Sequence, residues 1–324
     1  MDLTSASRPV EEIALTRPQP FSRGLEWPIV SFLGTVHLLT LVLCWFFPSQ
    51  EAFLLFLVLY LVTGLGVTVG YHRKITHQSF RSPRWFEYAL AVLGLLAGEG
   101  PPIFWAAIHR QHHKHSDSDE DPHSPRDGFW WAHALWMLPK IQRTNLGRIY
   151  GAYAPDLVRH RFYQFLERTY LYWHLSFAVL LTLAGAWLGS WRMALSFLAY
   201  GYFLRMVVVL HATWMVNSVS HRWGYRNYGT DDDSRNNAIV ALFAHGEGWH
   251  NNHHHSQVAA NHGHSWREFD LSFGVILLLG ALTWPLAWIG LDRWRLLTDV
   301  RVFSANTGKI ELWLPSGSDR HGDR

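Results

Sequence analysis

Four stretches of the chain are apolar for long enough to cross a bilayer, which takes about 20 helical residues. They are Trp27–Phe47, with His37 as its one strongly polar member; Ala52–Tyr71, without a charge; Leu171–Leu188; and a segment from Met193 to about His221 that contains Arg205. The fourth outruns the hydrocarbon, so its last turns are expected beyond the membrane. Two further apolar stretches read differently. Tyr88–Ile108 is broken by Gly98-Glu99-Gly100-Pro101-Pro102, which no ordinary spanning helix carries, and Leu271–Leu291 contains Pro285. Each is expected to dip into the membrane or lie on it rather than cross.

The pattern predicts an all-α, polytopic fold: four transmembrane helices under a histidine-rich cytosolic cap. Loop charges set the orientation. The 48–51 connection has no Lys or Arg and the 189–192 connection has only Arg192, while the N-terminal tail and segments 72–170 and 221–268 carry nearly all the rest. The positive-inside rule then places both long segments in the cytosol, and an even number of spans leaves the N- and C-termini there too. Residues 1–24 mix Asp2, Glu11, Glu12, Arg8, Arg17 and Arg23 with prolines and no apolar run, and read as a disordered, uncleaved tail. Residues 25–300 form the expected domain and 301–324 a short C-terminal tail.

Composition agrees. Hydrophobic residues are 49% and charged residues 16%, below the usual quarter of a soluble domain. Trp is frequent, as at bilayer interfaces, with 18 copies. A formal charge of +3 points to no nucleic-acid partner. Cys44, the single cysteine, can form no intrachain disulfide.

The histidines change the picture from membrane protein to candidate enzyme. There are 21, and nine fall in clusters: His72 and His77; His109, His112 and His113; His250, His253 and His254; and His221 with Asn217 four residues before it. Positions i, i+3 and i+4 share a helix face, so each triad presents three imidazoles together. His72 and His77, five apart, fit only if the helix loosens or bends between them. One zinc takes four ligands, so nine suggest two ions; imidazole suits iron, zinc, copper or nickel alike. His37 and His174 read as satisfied polar groups, His255, His262 and His264 as a surface tract, and His115 and His123 as loop or supporting residues. If Tyr88–Ile108 dips without crossing, all nine clustered histidines lie at one membrane face.

At these residues the chain resembles the membrane fatty acid desaturases of the Δ9 acyl-CoA and acyl-lipid type. The matching strings are GYHRKITHQSF (70–80), HRQHHKHSD (109–117), DPHSPRDGFWWAH (121–133), ATWMVNSVSHRWGYR (212–226) and HGEGWHNNHH (245–254). The resemblance implies a cap holding two Fe ions, cycling between Fe2+ and Fe3+. Their ligands would be His72, His77, His109, His112, His113, His221, His250, His253 and His254, with Asn217 acting through water. It implies O2-dependent insertion of a cis double bond at carbon 9 of a saturated acyl chain, carried as acyl-lipid or acyl-CoA. Asp121, Glu247 and Asp270 are candidates to orient ligating imidazoles. Electrons would come from a separate ferredoxin or cytochrome b5-like protein, since no HPGG string is present. Acyl-CoA members carry an Arg-Asp pair where Ala107 and Ile108 stand here, so acyl-lipid is expected to serve at least as well as the thioester. Lys140, Arg143 and Arg148 remain as nearby cations. A hydroxylase or ketolase would use the same scaffold. A metal transporter would place its ligands near the bilayer midplane, and these spans are almost free of them.

Overall fold

The computed structural model describes residues 24–140, 146–287 and 295–314. The tail expected over residues 1–24, apart from Gly24, lies outside the described residues, as does Arg143. Among the described residues, four helices are long and apolar enough to span: α1 (Trp27–Phe46), α2 (Gln50–Leu65, continuing to Thr76), and two helices farther along, Arg161–Leu188 and Trp191–Ser218. Pro28 sits in the first turn of α1, where its missing N–H costs nothing. Ser49 caps α2 by accepting the Ala52 N–H at 3.1 Å.

Past Leu65 the second span winds as a π-helix over Gly66–Thr76. The π-helix closes i to i+5 bonds, and the His77 N–H donates to His72 O at 3.1 Å. The loosening that the five-residue histidine spacing requires is thus built into this segment. Helix α3 (Arg84–Ala97) lies against it so closely that a Cβ on Gly66 would come within 2.4 Å of Gly94 N.

Helix α3 and α4 (Pro102–His115) meet at 84°, so the pair enters the bilayer and turns back. Gly98 makes the reversal possible, at φ +99°. This leaves the end of α3 at membrane depth, where its last carbonyls have no water. Arg205, fully buried, donates to Leu96 O at 2.5 Å, and His174 Nε2 bonds Leu95 O at 3.0 Å. The arginine in the fourth span thus supports the dip from inside the bundle.

The cap continues through α5 (Phe129–His133), α6 (Leu146–Tyr153) and α7 (Pro155–Val158). Spans α8 (Arg161–Leu188) and α9 (Trp191–Ser218) follow. Helix α8 starts ten residues before the apolar run, carrying its polar first turns into the cap, and α9 ends before His221. The inner pair is α2 and α9, 44% and 56% buried, against 11% and 17% for α1 and α8. His37 of α1 is not isolated. Its Nδ1 bonds Leu33 O at 2.7 Å, its Nε2 meets His211 Nε2 at 3.1 Å, and His211 Nδ1 meets His133 Nε2 at 3.0 Å.

Then come α10 (Ala238–Phe243), α11 (His250–His255) and α12 (Leu271–Thr283). A two-stranded antiparallel hairpin follows, β1 (Val300–Ser304) and β2 (Lys309–Trp313). The hairpin occupies the region that reads as a tail in the sequence. Val300 is buried with Val69, Phe80, Leu90 and Ile276, and the Arg301 N–H donates to Ser79 O at 2.9 Å.

Candidate metal centre

The nine clustered histidines converge into two groups. His72, His77, His109, His113 and His253 each present one nitrogen, and those nitrogens all lie within 4.8 Å of one another; His112, His221, His250 and His254 do the same. The two triads do not each serve one group. Helix α4 gives His109 and His113 to the first and His112 to the second, while α11 gives His253 to the first and His250 and His254 to the second. A pair four apart and its neighbour point along slightly different directions, so each short helix straddles both centres.

The nitrogens are arranged as ligands rather than as hydrogen-bonded pairs. His113 Nε2 lies 2.9 Å from both His109 Nε2 and His253 Nε2. His72 Nε2 is 3.0 Å from His253 Nε2, and His250 Nε2 is 3.0 Å from His221 Nε2. Around an ion with metal–nitrogen bonds of about 2.1 Å, adjacent ligands stand about 3.0 Å apart and opposite ones about 4.2 Å. His112 Nε2 and His254 Nε2 are buried with no hydrogen-bond partner, a costly state that a cation would relieve. The donor set fits two metal ions.

Carboxylates on the far side of the rings fix their orientation. His72 Nδ1 meets Glu247 Oε2 at 2.6 Å, His112 Nδ1 meets Asp121 Oδ2 at 2.9 Å, His221 Nδ1 meets Asp117 Oδ2 at 3.1 Å, and His254 Nδ1 meets Asp232 Oδ2 at 2.5 Å. Each such contact makes Nδ1 the donor and turns a free Nε2 lone pair toward the cluster. Burial, reinforced by neighbouring imidazoles, holds His77, His109, His113, His250 and His253 well below the ordinary histidine value, hence neutral. Burial also pulls His254 down to about 4 against the opposing pull of Asp232. His112 goes up, because Asp121, Asp117 and Asp232 outweigh its burial. Burial would raise Glu247 and Asp121, but Arg73 and His72 for the former, and His112 and His123 for the latter, hold both well below the usual range.

Several roles differ from the sequence reading. Asp270 touches no clustered imidazole. It accepts from Arg73 at 3.1 Å through both oxygens, and Arg73 also pairs with Glu247, so Asp270 supports His72 at two removes. His262 is no surface residue: it is 1% exposed, 3.2 Å from Glu247 through Nδ1, with its ring 4.4 Å from that of His253. His123 is buried against His112, ring to ring at 4.5 Å. Asp117 and Asp232 were not foreseen. Asp117 closes the HRQHHKHSD string, a usable signal, whereas Asp232 is the middle of three consecutive aspartates and nothing in the sequence singles it out. Ala107 and Ile108 are packed in the apolar core with Tyr71, Ile75 and Leu166.

A small apolar cavity of about 50 Å³ opens beneath the histidines. His72 and His109 of the first group and His250 of the second line it, with Asn217 beside them. Its walls are Val67 from α2 and Val209, Ala212 and Val216 from α9. Trp105, also on the wall, stacks on His109 with ring centres 4.8 Å apart. Glu99, in the α3–α4 break, accepts from Trp105 Nε1 at 2.9 Å and from Thr213 Oγ1 at 2.5 Å, so it holds two wall residues from behind.

A membrane enzyme with places for two histidine-bound metal ions above an apolar cavity is the class that this fold and site define. Within it, the chain belongs to the fatty acid desaturase family, whose profile, described as Fatty acid desaturase, matches residues 50–266. It is 44% identical over 263 residues to the sn-2 palmitoyl-lipid 9-desaturase of Nostoc sp. (strain 36), covering 81% of this chain and 89% of that one. It is 40% identical over 272 residues to the sn-1 stearoyl-lipid 9-desaturase of Anabaena variabilis, covering 82% and 93%. It is also 40% identical over 255 residues to the Acyl-CoA C20 Delta5-desaturase of Anemone leveillei, covering 77% of each. The protein is a fatty acyl desaturase, an oxidoreductase embedded in the membrane.

Proposed function

We propose that the chain introduces a cis double bond at carbon 9 of a saturated acyl chain esterified in membrane lipid, using two irons held by the nine histidines. The observation that carries this reading is that both histidine groups border one apolar cavity, so a single methylene pair can lie beside both ions. The lipid carrier and the carbon-9 position rest on the lipid 9-desaturases among its relatives; the acyl-CoA relative makes the thioester a second substrate.

When bound, the iron pair supplies O2 activation and the removal of two hydrogens from adjacent, unactivated methylenes. The balance is one saturated C–C bond, O2, two electrons and two protons in, and one alkene and two waters out. A separate ferredoxin or cytochrome b5-like protein delivers the electrons. The protein's own part is placement. Glu247, Asp121, Asp117 and Asp232 fix the imidazoles, Asn217 would hold an iron through water, and the valines of α2 and α9 hold the methylenes and keep bulk water out. The Lys and Arg distribution supports cytosolic N- and C-termini, which puts the cap on the side where soluble electron carriers are found.

Purified enzyme with a competent electron donor, given stearoyl-phospholipid or stearoyl-CoA in separate assays, tests the reading. The expected result is two irons per chain and a 9-unsaturated product from the phospholipid. Stoichiometric zinc without iron, a hydroxylated product, or turnover of the thioester alone would overturn the corresponding part.

A further inference from the structure

The chain is rich in tryptophan, but its indole N–H groups are not equivalent. Among the described residues, Trp173 donates to Thr169 Oγ1 at 3.2 Å and Trp249 to Phe269 O at 2.9 Å, both neutral acceptors. The buried Nε1 of Trp131 and that of Trp136 have no partner. Trp105 is the exception, because its Nε1 donates to a carboxylate, Glu99 Oε2, at 2.9 Å.

The same indole lies against the metal centre. Its ring stacks on that of His109, with centres 4.8 Å and planes 24° apart, and meets that of His72 edge-on at 5.9 Å. Both histidines belong to the first group. The other oxygen of Glu99 accepts from Thr213 Oγ1 at 2.5 Å, which keeps the carboxylate from swinging away. Among the described residues no Lys or Arg side chain pairs with Glu99. A buried anion without a cation beside it favours positive charge on the ring it touches, and more strongly in a low-dielectric site. An indole that has lost one electron becomes a strong N–H acid, and Glu99 stands where that proton leaves. Burial lifts Glu99 to about 7, so near neutrality the carboxylate is present and basic enough to keep what it receives.

We propose that Trp105 and Glu99 form a one-electron relay beside the first histidine group, the indole giving up an electron and Glu99 taking its proton. This rests on reading the two groups as an iron pair that O2 oxidises. The step balances as follows. An indole N–H, a carboxylate and one oxidising equivalent of the metal pair give a neutral indole radical, a carboxylic acid and a metal pair reduced by one electron. One electron from the external donor and the proton held by Glu99 then restore the indole. Trp105 also lines the cavity. With an acyl chain in place, the oxidising equivalents are consumed by its C–H bonds. In an empty cavity the indole takes that role and the histidine ligands are spared.

Two experiments test the relay. In the first, metal-free protein is oxidised by a light-driven one-electron oxidant while the optical spectrum of the indole radical is followed. The parent should give the neutral radical at Trp105, and Glu99→Gln should give the protonated radical cation instead. Trp105→Phe should lose this signal from the background of the other tryptophans. Glu99→Gln keeps the shape of the side chain, so its changed spectrum would not come from a collapsed wall. In the second, reduced iron-loaded enzyme meets O2 without acyl substrate and is frozen for electron paramagnetic resonance. The parent should show a radical whose hyperfine pattern narrows when its tryptophan is ring-deuterated. A saturated acyl substrate, or Trp105→Phe, should remove it. Iron content is measured alongside. Protein that retains no iron would count against the iron reading of the centre, and the metal-free spectra would then decide on the relay alone. Coinciding metal-free spectra of parent, Glu99→Gln and Trp105→Phe would overturn the relay, as would a full iron content with no tryptophan radical.

Discussion

The two histidine groups are unequal in what stands behind them. In the second, three of four imidazoles rest on their own aspartate: His112 on Asp121, His221 on Asp117 and His254 on Asp232. In the first, among the described residues, only His72 of five has a carboxylate, and that one, Glu247, is shared with Arg73 and His262. A carboxylate behind an imidazole strengthens the ligand and stabilises positive charge in front of it. The second group is therefore the more anionic cradle, and the first the more nearly neutral one. Two ions held by these groups would differ in affinity even though both see only imidazole nitrogen.

The largest effect should come from removing a ligand, and it should be alike on both sides. His112→Ala in the second group and His253→Ala in the first should each abolish desaturation, a loss beyond the ~10–100-fold that outer partners typically cost. Membrane insertion should persist, since both residues lie outside the four spans. Lipid analysis of a desaturase-deficient host reads the activity, and metal content of the purified variants reads the site. If either variant kept a tenth of the parent activity, that histidine would not be a ligand and the grouping would need redrawing.

A smaller and unequal effect separates the groups. Asp232→Asn or Asp117→Asn should weaken metal retention about 10–100-fold in the second group while keeping the side-chain shape. Glu247→Gln should weaken the first group and also leave Arg73 with Asp270 as its one remaining acidic partner, so the fold should lose stability as well as metal. Chelator titration followed by thermal unfolding distinguishes the two. Asp232→Asn should shift the chelator midpoint with the metal-free unfolding temperature little changed, and Glu247→Gln should lower both. Identical behaviour of the two variants would remove the asymmetry.

How far the chain announced these groups depends on the kind of signal. Spans are written in contiguous apolar length, so all four are visible, and Gly98 to Pro102 marks the dip because no membrane helix tolerates that run. The membership of the nine histidines in one site is visible in their strings, but their division is not. Whether His112 joins His109 or His250 depends on how α4 and α11 face each other, which short-range spacing does not encode. The π-helix was legible only indirectly, as the five-residue gap between His72 and His77. Supporting residues were the least legible. Asp270 and Asp121 look equivalent in sequence, yet one meets Arg73 and the other His112. The hairpin had a local signal, alternating VRVFS and KIELW around Asn306-Thr307-Gly308, which a search for spans does not weigh.

Glu99 sharpens the contrast from outside both groups and gives the smallest expected effect. The carboxylates behind imidazoles are all held low, hence ionised. Glu99 backs no imidazole. Burial pushes it up to about 7, although the hydrogen bonds from Thr213 and Trp105 pull the other way. Its folded value is thus above the unfolded value of 4.5. Stability from such a group is complete below the unfolded value and is lost as the pH climbs through the folded one, because folding must then keep a proton that the unfolded chain releases. The full difference is on the order of 3 kcal/mol. Glu99→Gln cannot ionise and keeps one acceptor for Thr213 or Trp105. Detergent-solubilised parent protein should lose thermal stability between pH 4.5 and about 7, and the variant should lose less over the same window, with the gap between them closing or reversing toward pH 7. Parallel curves for parent and variant would show that Glu99 is already ionised, and that the carboxylates around this cavity do not divide by whether they serve a histidine.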